Sequence, residues 1–491
     1  MGYKDLRDFL KQVEKNGELK RLSGVDWNLE MGSIAEMVYH EGKTPQPALL
    51  FDDIPGYPKG YTCLFGQISS RRRLAMAMGL PENRIGRKEI MQNWRKKSKA
   101  SNFIPPKVVT SPPVMANKMT GNKIDLLKFP SPKFHELDGG RYLGTGHAVI
   151  QQDPDTGYVN LGVYRVMLVD RNRLIIHILE GQHGSLIMNE KYLDRGKPMP
   201  VAIAMGIDPA LWFASAKKVP SQISEYDYAG MLKGQPIEIF TGPKTGLPLP
   251  ASAEIVIEGE CRPGDLANEG PFGEGNGYYA NLGLESVPEP VMRVSAVYYR
   301  DNPILTCAIP SVPPQEMTPM TAFLSSTTIW DRLDAAGIPG IKDIWCPEAG
   351  HGSMLQIISI EQKYSGHATE VGVIASQVRL GGACKYTVVV DDDIDPSDIN
   401  QVIWAIVTRA EPEHAIQILR NCNTTSRDIA VSPEEKRKYK VPPKPLYTSK
   451  LVIDACQPFE WKKEWYPVAQ SSPALHRTIL GKYGKILKGL F

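Results

Sequence analysis

A chain of 491 residues with 42% apolar and 23% charged side chains has ordinary globular composition, room for roughly two to four domains, and enough core to need no staples. Its formal net charge of +3 excludes the broad basic field of a nucleic-acid binder. Seven cysteines, at 63, 261, 307, 346, 384, 422 and 456, form no CxxC and no zinc spacing, so reduced thiols and a cytoplasmic setting are expected.

The N-terminal stretch MGYKDLRDFLKQVEK is charged and amphipathic, which is not the pattern of a signal peptide, and Leu6 breaks the myristoylation pattern that Gly2 begins. No apolar run approaches the ~20 residues of a membrane span. Leu6, Phe9, Leu10 and Val13 recur at helical spacing. A second helix is expected over 33–41 with Ser33 as its N-cap, followed by a strand in PALLFDDI. The basic run 87–99 reads as a solvated helix face, with a patch for a phosphorylated ligand as the sharper alternative. The proline-rich run FIPPKVVTSPPVMANK, 103–118, reads as a linker.

Beyond it the pattern changes to β-rich runs: HAVIQQD, YVNLGVYRVMLVD, RLIIHIL, VAIAMG, AEIVIEGEC and VMRVSAVYYR. Asp153-Pro154-Asp155-Thr156-Gly157 separates the first two as a hairpin turn would. A barrel or sandwich is expected here, with a helical insertion near 183–195. After IPSVPPQEMTP, helices near 321–336, 367–377 and 397–409 alternate with the strands MLQIISI and KYTVVVD, which implies an α/β unit. Ile399, Val402, Ile403 and Ile406 share a face of the last of these helices. The final stretch, PALHRTILGKYGKILKGLF, reads as a basic amphipathic helix that packs on a partner subunit or its own domain, or binds a membrane surface.

Four groups of residues carry chemistry. In EGPFGE, Glu269 and Glu274 flank a Gly-Pro-Phe-Gly loop. Such a loop can converge two carboxylates, which pushes one pKa upward and suits a proton donor; two solvated acids are the plain alternative. Asn160 and Arg165 lie in one expected strand, on opposite faces if it is regular. Arg165 among apolar residues calls for a carboxylate, either a structural partner or a substrate. Asn160, His183 and Glu225 have the donor chemistry of a divalent-ion site but no short metal motif. Lys385 follows the glycines of GGACK, a weak phosphate signal, and the acids Asp391, Asp392, Asp393 and Asp395 read as a strand-end turn and helix cap. There is no P-loop, no GxGxxG and no GxSxG.

Asn160, Arg165, His183, Glu225, Glu269 and Glu274, in this order and spacing, resemble the UbiD-like decarboxylases, and DDDIDPSDINQVIWAIVTR is similar to that family's C-terminal domain. The resemblance covers nearly the whole chain. It implies a mixed α+β fold: an N-terminal α/β segment and linker (1–118), a split β-barrel binding prenylated FMN (119–312), a C-terminal α/β oligomerisation domain (313–465) and a terminal helix (466–491). It implies decarboxylation of an aromatic or α,β-unsaturated acid with release of CO2, in a homodimer or homohexamer, with a flavin prenyltransferase supplying the cofactor. Glu274 resembles the proton donor, and Glu269 and Arg165 the rest of a Glu-Arg-Glu network. Asn160, His183 and Glu225 resemble manganese ligands. Ala214 and Ser215, with Glu225, match a potassium site, and Thr145, Val163, Gln182 and Lys385 align with flavin or phosphate contacts. Gly162 and Lys217 stand where some relatives carry Ser and an apolar residue. The resemblance leaves the physiological direction open, so a carboxylase subunit is an alternative; a flavin oxidoreductase on a similar barrel is another.

Overall fold

The structure, a computed structural model, describes residues 2–42, 45–81, 86–99, 102–217, 219, 222–280, 282–378, 384–439 and 446–488. Leu6, Phe9, Leu10 and Val13 are buried along one face of the helix Leu6–Lys15, and Asp5 caps it by accepting from the Asp8 amide. The second helix runs Glu30–Glu41 and so starts a turn ahead of the expected Ser33. Leu29 is the cap residue, the Ser33 amide already donates to the Leu29 carbonyl, and the Glu30 carboxylate fixes the entry by accepting from the Asp26 amide.

Leu19–Ser23, Ala48–Asp52, Thr62–Phe65 and Ile304–Thr306 form one four-stranded sheet. A strand from beyond residue 300 thus completes the N-terminal sheet. Within the N-terminal part the fully buried Arg73 donates to Glu18 and to the carbonyls of Gly66 and Gln46. Glu316, also buried, accepts from the amides of Gly66 and Ile309. The proline-rich run is no free linker. Lys107–Val108 pairs with Glu238–Thr241, and Asn117–Thr120 pairs with the central sheet.

That central sheet has nine strands among the described residues. Eight of them are β1 (Tyr142–Gly144), β2 (His147–Gln152), β3 (Val159–Gly162), β4 (Arg165–Leu168), β5 (Arg173–His177), β6 (Met199–Met205), β7 (Ile255–Glu269) and β8 (Val287–Tyr299). Their order, β1-β4-β5-β8-β7-β6-β2-β3, places β3 and β4 near opposite ends although only Val163 and Tyr164 separate them in sequence. The sheet must therefore curl to bring its two ends toward each other without pairing them, which makes it a half-barrel. The Asp153–Gly157 turn joins β2 to β3 as an antiparallel hairpin. The expected insertion is present as short helical turns His183–Leu186, Ile187–Tyr192 and Leu193–Arg195.

The C-terminal unit is a five-stranded sheet ordered Ile341–Trp345, Leu355–Ile360, Tyr386–Asp391, Tyr447–Ala455, Ile416–Asn423. Its long helices are Thr318–Ala335, His367–Ser376 and Ile399–Arg409. The last buries Val402, Ala405 and Arg409, whereas Ile399 is 43% and Ile403 51% exposed. The expected apolar face is thus rotated, because Arg409 is drawn inward to Asp391 and Asp393. Asp391 also accepts from Lys462, Gln362 and the Gln457 amide, and Asp398 caps the helix.

The basic helix Arg87–Ser98 is a solvated face only in part: Lys88 and Lys96 are exposed, but its arginines are paired. Arg87 pairs with Asp343 and Asp395 over the Trp345 ring, and Arg95 pairs with Asp331 and Asp334 over Trp330, which ties the helix to the C-terminal unit. The terminal helix Pro473–Leu487 buries no residue on its own chain. All seven cysteines are buried and free. Among the described residues, no helix is long and apolar enough to cross a membrane.

Candidate active site

Glu269 is the last residue of β7, paired across the sheet with Val287. Beyond it the chain turns through Gly270 and a cis Gly270–Pro271 bond and returns to Glu274, whose amide donates to the Tyr278 carbonyl. Arg165 opens β4 and reaches both acids. Its Nε and Nη2 donate to Glu269 at 2.8 and 2.7 Å, and its Nη1 donates to Glu274 at 2.6 Å. Glu269 is 1% and Glu274 9% exposed, so this is a nearly dry charged triad rather than a pair of solvated acids.

The triad reverses one expectation. Two carboxylates alone would drive one pKa up, but Arg165 lies between them. Burial pulls the Glu274 carboxyl upward, and the charges of Arg165 and then Arg427 outweigh it, so Glu274 sits below the usual carboxylate value. Burial works against the Arg165 charge too, but Glu274 and Glu269 more than restore it.

The loop is held from beneath. Tyr142, buried in β1, donates its hydroxyl to Glu269 Oε1 at 2.9 Å, and its ring packs 4.3 Å from Phe272. The Arg165 guanidinium lies 4.9 Å from the centre of the Phe272 ring. Asp138 accepts from the Gly273 amide and the Tyr279 hydroxyl. At Gly139 a Cβ would stand 1.8 Å from the Gly270 carbonyl oxygen, so this approach admits glycine alone. From the other side the C-terminal unit closes over Glu274. A cavity of about 30 Å³ separates Glu274 and Asn276 from His351, Arg427 and Asp428, and the Asn276 amide donates to the Arg427 carbonyl. Burial, seconded by Arg427, pushes the His351 imidazole down to about 4.

Asn160 and Arg165 do not share one strand. The run Tyr158–Asp170 breaks at Val163–Tyr164, with β3 paired to β2 and β4 paired to β5. The break is shaped by Tyr164, whose hydroxyl accepts from Asn160 Nδ2 and from the Gly184 amide. A Cβ at Gly162 would fall 2.2 Å from that ring, which accounts for the glycine.

Glu225 begins the helix Glu225–Lys233, 3% exposed, and accepts from the Leu161 amide, next to Asn160, at 2.8 Å. Among the described residues it has no cationic partner within ion-pair distance, and burial pushes its carboxyl up to about 8 despite that amide bond. The Tyr158 hydroxyl and the side-chain oxygen Oε1 of Gln151 nearby are buried without a partner. Gln151 stands opposite Asn160 across β2–β3, and the Tyr158 ring meets the His183 ring edge-on at 6.2 Å. A buried acid with orphaned oxygens beside it suits a cation. The set contains two side chains of the usual His, Cys, Asp and Glu repertoire plus Asn160; among the described residues no three of that repertoire cluster as metal ligands.

Ala214 and Ser215 close the buried helix Pro209–Ala216. The Ala214 carbonyl accepts from the Lys217 amide, and the Ser215 hydroxyl donates to Leu211. Lys217 turns into the core, donating to the Tyr228 hydroxyl over the Trp94 ring, and burial lowers it to about 8. Thr145 accepts from the Ala308 amide, Val163 is half-buried at the break, and Gln182 is the exposed cap of His183–Leu186. Lys385 pairs with Asp428 at 2.5 Å, beside the Glu274 cavity; the glycines 381 and 382 before it lie outside the described residues. A larger cleft of about 1030 Å³ between Arg71, Arg87, Glu348 and Asp395 contains none of these groups.

Tyr142, Asp138, Tyr164 and His177 were not singled out from the sequence. The one signal is a lone polar residue inside an apolar strand, as His177 is in RLIIHIL.

Family profiles for the N-terminal, Rift-related and C-terminal domains of 3-octaprenyl-4-hydroxybenzoate carboxy-lyase (UbiD) match residues 10–91, 107–313 and 318–455. A pyrrole-2-carboxylic acid decarboxylase of Pseudomonas aeruginosa is 34% identical over 426 residues, 84% of each chain. Three solved structures, of two proteins, superpose over nearly their full lengths. The vanillic acid decarboxylase of Sedimentibacter hydroxybenzoicus in open form has TM-score 0.82 and 27% identity over 100% of both chains. The UbiD-class enzyme HmfF from Pelotomaculum thermopropionicum in complex with FMN has TM-score 0.84 and 28% identity over 97% of this chain and 99% of that one. HmfF in complex with prFMN, in an evolved dimeric form, gives 0.80 and 28% over 98% and 99%.

Proposed function

The chain belongs to the UbiD family of carboxy-lyases, and we propose that it catalyses the reversible, non-oxidative decarboxylation of an aromatic or α,β-unsaturated acid with prenylated FMN. The observation that carries this reading is the asymmetric triad: Arg165 holds Glu269 with two bonds and Glu274 with one. The relatives named for pyrrole-2-carboxylic and vanillic acids support an aromatic substrate. The relative solved with prFMN supports the cofactor.

Loss of CO2 from an sp² carbon leaves a carbanion-like centre, and the bound flavin supplies the electron sink that no side chain offers. The protein's own groups do the rest. Arg165 is the cation that meets the substrate carboxylate. Glu269, bonded by Arg165 and Tyr142, keeps the guanidinium aimed at the site. The Nη1 bond to Glu274 is the one the substrate carboxylate displaces. Glu274 then loses the largest of the charges that hold its pKa down while its burial remains, so it takes up a proton from solvent. CO2 leaves as a neutral molecule and the bonding electron pair stays behind; Glu274 delivers its proton to the carbon the carboxyl left, becomes a carboxylate again, and Arg165 recovers its partner. Carboxylation runs the same steps in reverse.

Asn160, His183 and Glu225 would hold manganese against the cofactor phosphate. The carbonyls of Ala214 and Ser215, with Glu225, would hold potassium. Thr145, Val163, Gln182 and Lys385 would line the flavin and its phosphate. Expressed beside a flavin prenyltransferase, the protein is expected to carry manganese and a flavin of prenylated mass. Glu225→Gln should fold but retain at least roughly tenfold less manganese, read by metal analysis after gel filtration. Full metal in the variant removes Glu225 from the set, and an unmodified flavin in the wild type overturns the cofactor assignment.

A further inference from the structure

Three residues stand in a row across the curled sheet. His177 on β5 lies directly opposite Arg165 on β4. On its other side its Nδ1 is 3.0 Å from Glu289 Oε1, on β8. Glu289 in turn faces Ala267 on β7, two residues before Glu269 and therefore on the same face of that strand. The row Arg165–His177–Glu289 thus lies on the face that carries the triad.

His177 is 8% exposed, and its Nε2 is buried without a hydrogen-bond partner. A carboxylate only accepts, so the Glu289 contact places a proton on Nδ1 and leaves Nε2 as the ring nitrogen with no protein partner among the described residues. With Nδ1 engaged by Glu289 on β8, the unpartnered nitrogen belongs to a side chain directly opposite Arg165. His177 lies within electrostatic reach of Glu274, and so of the reacting groups. Buried polar atoms are normally satisfied, and one aimed into a site awaits a ligand atom.

Resting on the reading of Arg165 as the substrate-carboxylate cation, we propose that His177 is a specificity-determining residue: its Nε2 accepts from a hydroxyl or N–H group on the ring of the aromatic acid. Directly opposed residues on antiparallel strands have Cβ atoms about 4.5–5.5 Å apart, a separation that one aromatic ring can bridge. The structure therefore favours hydroxylated or N–H-bearing aromatic acids over their unsubstituted counterparts. Glu289 is the positioning residue that fixes the tautomer.

The test compares matched acids on the flavin-loaded protein: benzoate against its monohydroxy and 3,4-dihydroxy derivatives, and furan-2-carboxylate against pyrrole-2-carboxylate. The wild type is expected to prefer the hydroxyl- or N–H-bearing member by about 10²-fold or more in kcat/KM. In His177→Leu that advantage should fall at least tenfold, and in His177→Gln, which retains a hydrogen-bonding side chain, it should fall less. The ratio is insensitive to partial folding or cofactor loading, since both acids meet the same protein. A wild type that prefers the unsubstituted acid, an advantage unchanged in His177→Leu, or an equal slowing of both members overturns the proposal. Silence toward every acid overturns the decarboxylase reading itself, which is a distinguishable failure.

Discussion

Arg165→Met is expected to lower kcat/KM for the substrate acid by about 10³-fold, the scale of removing a main electrostatic anchor from a dry site. It should also destabilise the fold by about 3–5 kcal/mol, because it leaves Glu269 and Glu274 buried without their cation. The two effects separate in Arg165→Lys. A lysine ammonium keeps the charge but cannot make two parallel bonds to Glu269 and a third to Glu274. That variant should recover most of the stability in chemical denaturation and little of the activity. If both variants turn over as the wild type does, Arg165 is only a structural partner of the acids. If Lys restores activity along with stability, charge alone matters and the geometric asymmetry carries no function.

Glu274→Gln tests the proton donor. The amide is nearly isosteric and can still accept from Arg165 Nη1, so folding, flavin content and KM should change little. CO2 release should fall by about 10²–10⁴-fold, the usual worth of a positioned general acid. A fall of that size in kcat with KM preserved marks an interaction made in the transition state. A variant that keeps its turnover removes Glu274 from the chemistry. Loss of flavin or of folded protein would instead assign Glu274 a structural role.

Much of the fold was legible because local signals agreed with it. The apolar spacing of Leu6, Phe9, Leu10 and Val13, the Asp153–Gly157 turn and the β-to-α alternation after residue 313 all correspond to observed elements. Ser33 misled because a carboxylate bond from Glu30 starts its helix earlier. Ile399 and Ile403 misled because Arg409 pairs with buried acids, which overrides hydrophobic spacing. In the site, the two glutamates were visible through the Gly-Pro loop between them. Their electrostatics were not, since Arg165 enters from a strand 104 and 109 residues away. The opposite faces expected for Asn160 and Arg165 came from treating a chain that crosses the seam of a half-barrel as one strand. Tyr142 and His177 look like ordinary strand residues until register places them against Glu269 and Arg165.

The central claim is that this protein exchanges a carboxyl group for a proton at an unsaturated carbon. The most direct measurement incubates the flavin-loaded wild type with a panel of aromatic and α,β-unsaturated acids in D2O and follows CO2 and the product by mass and proton NMR. The account predicts CO2 release with one deuterium at the carbon the carboxyl left, and strong suppression of both in Glu274→Gln. No CO2 and no deuterium from any acid, with prenylated flavin bound in place, would contradict it.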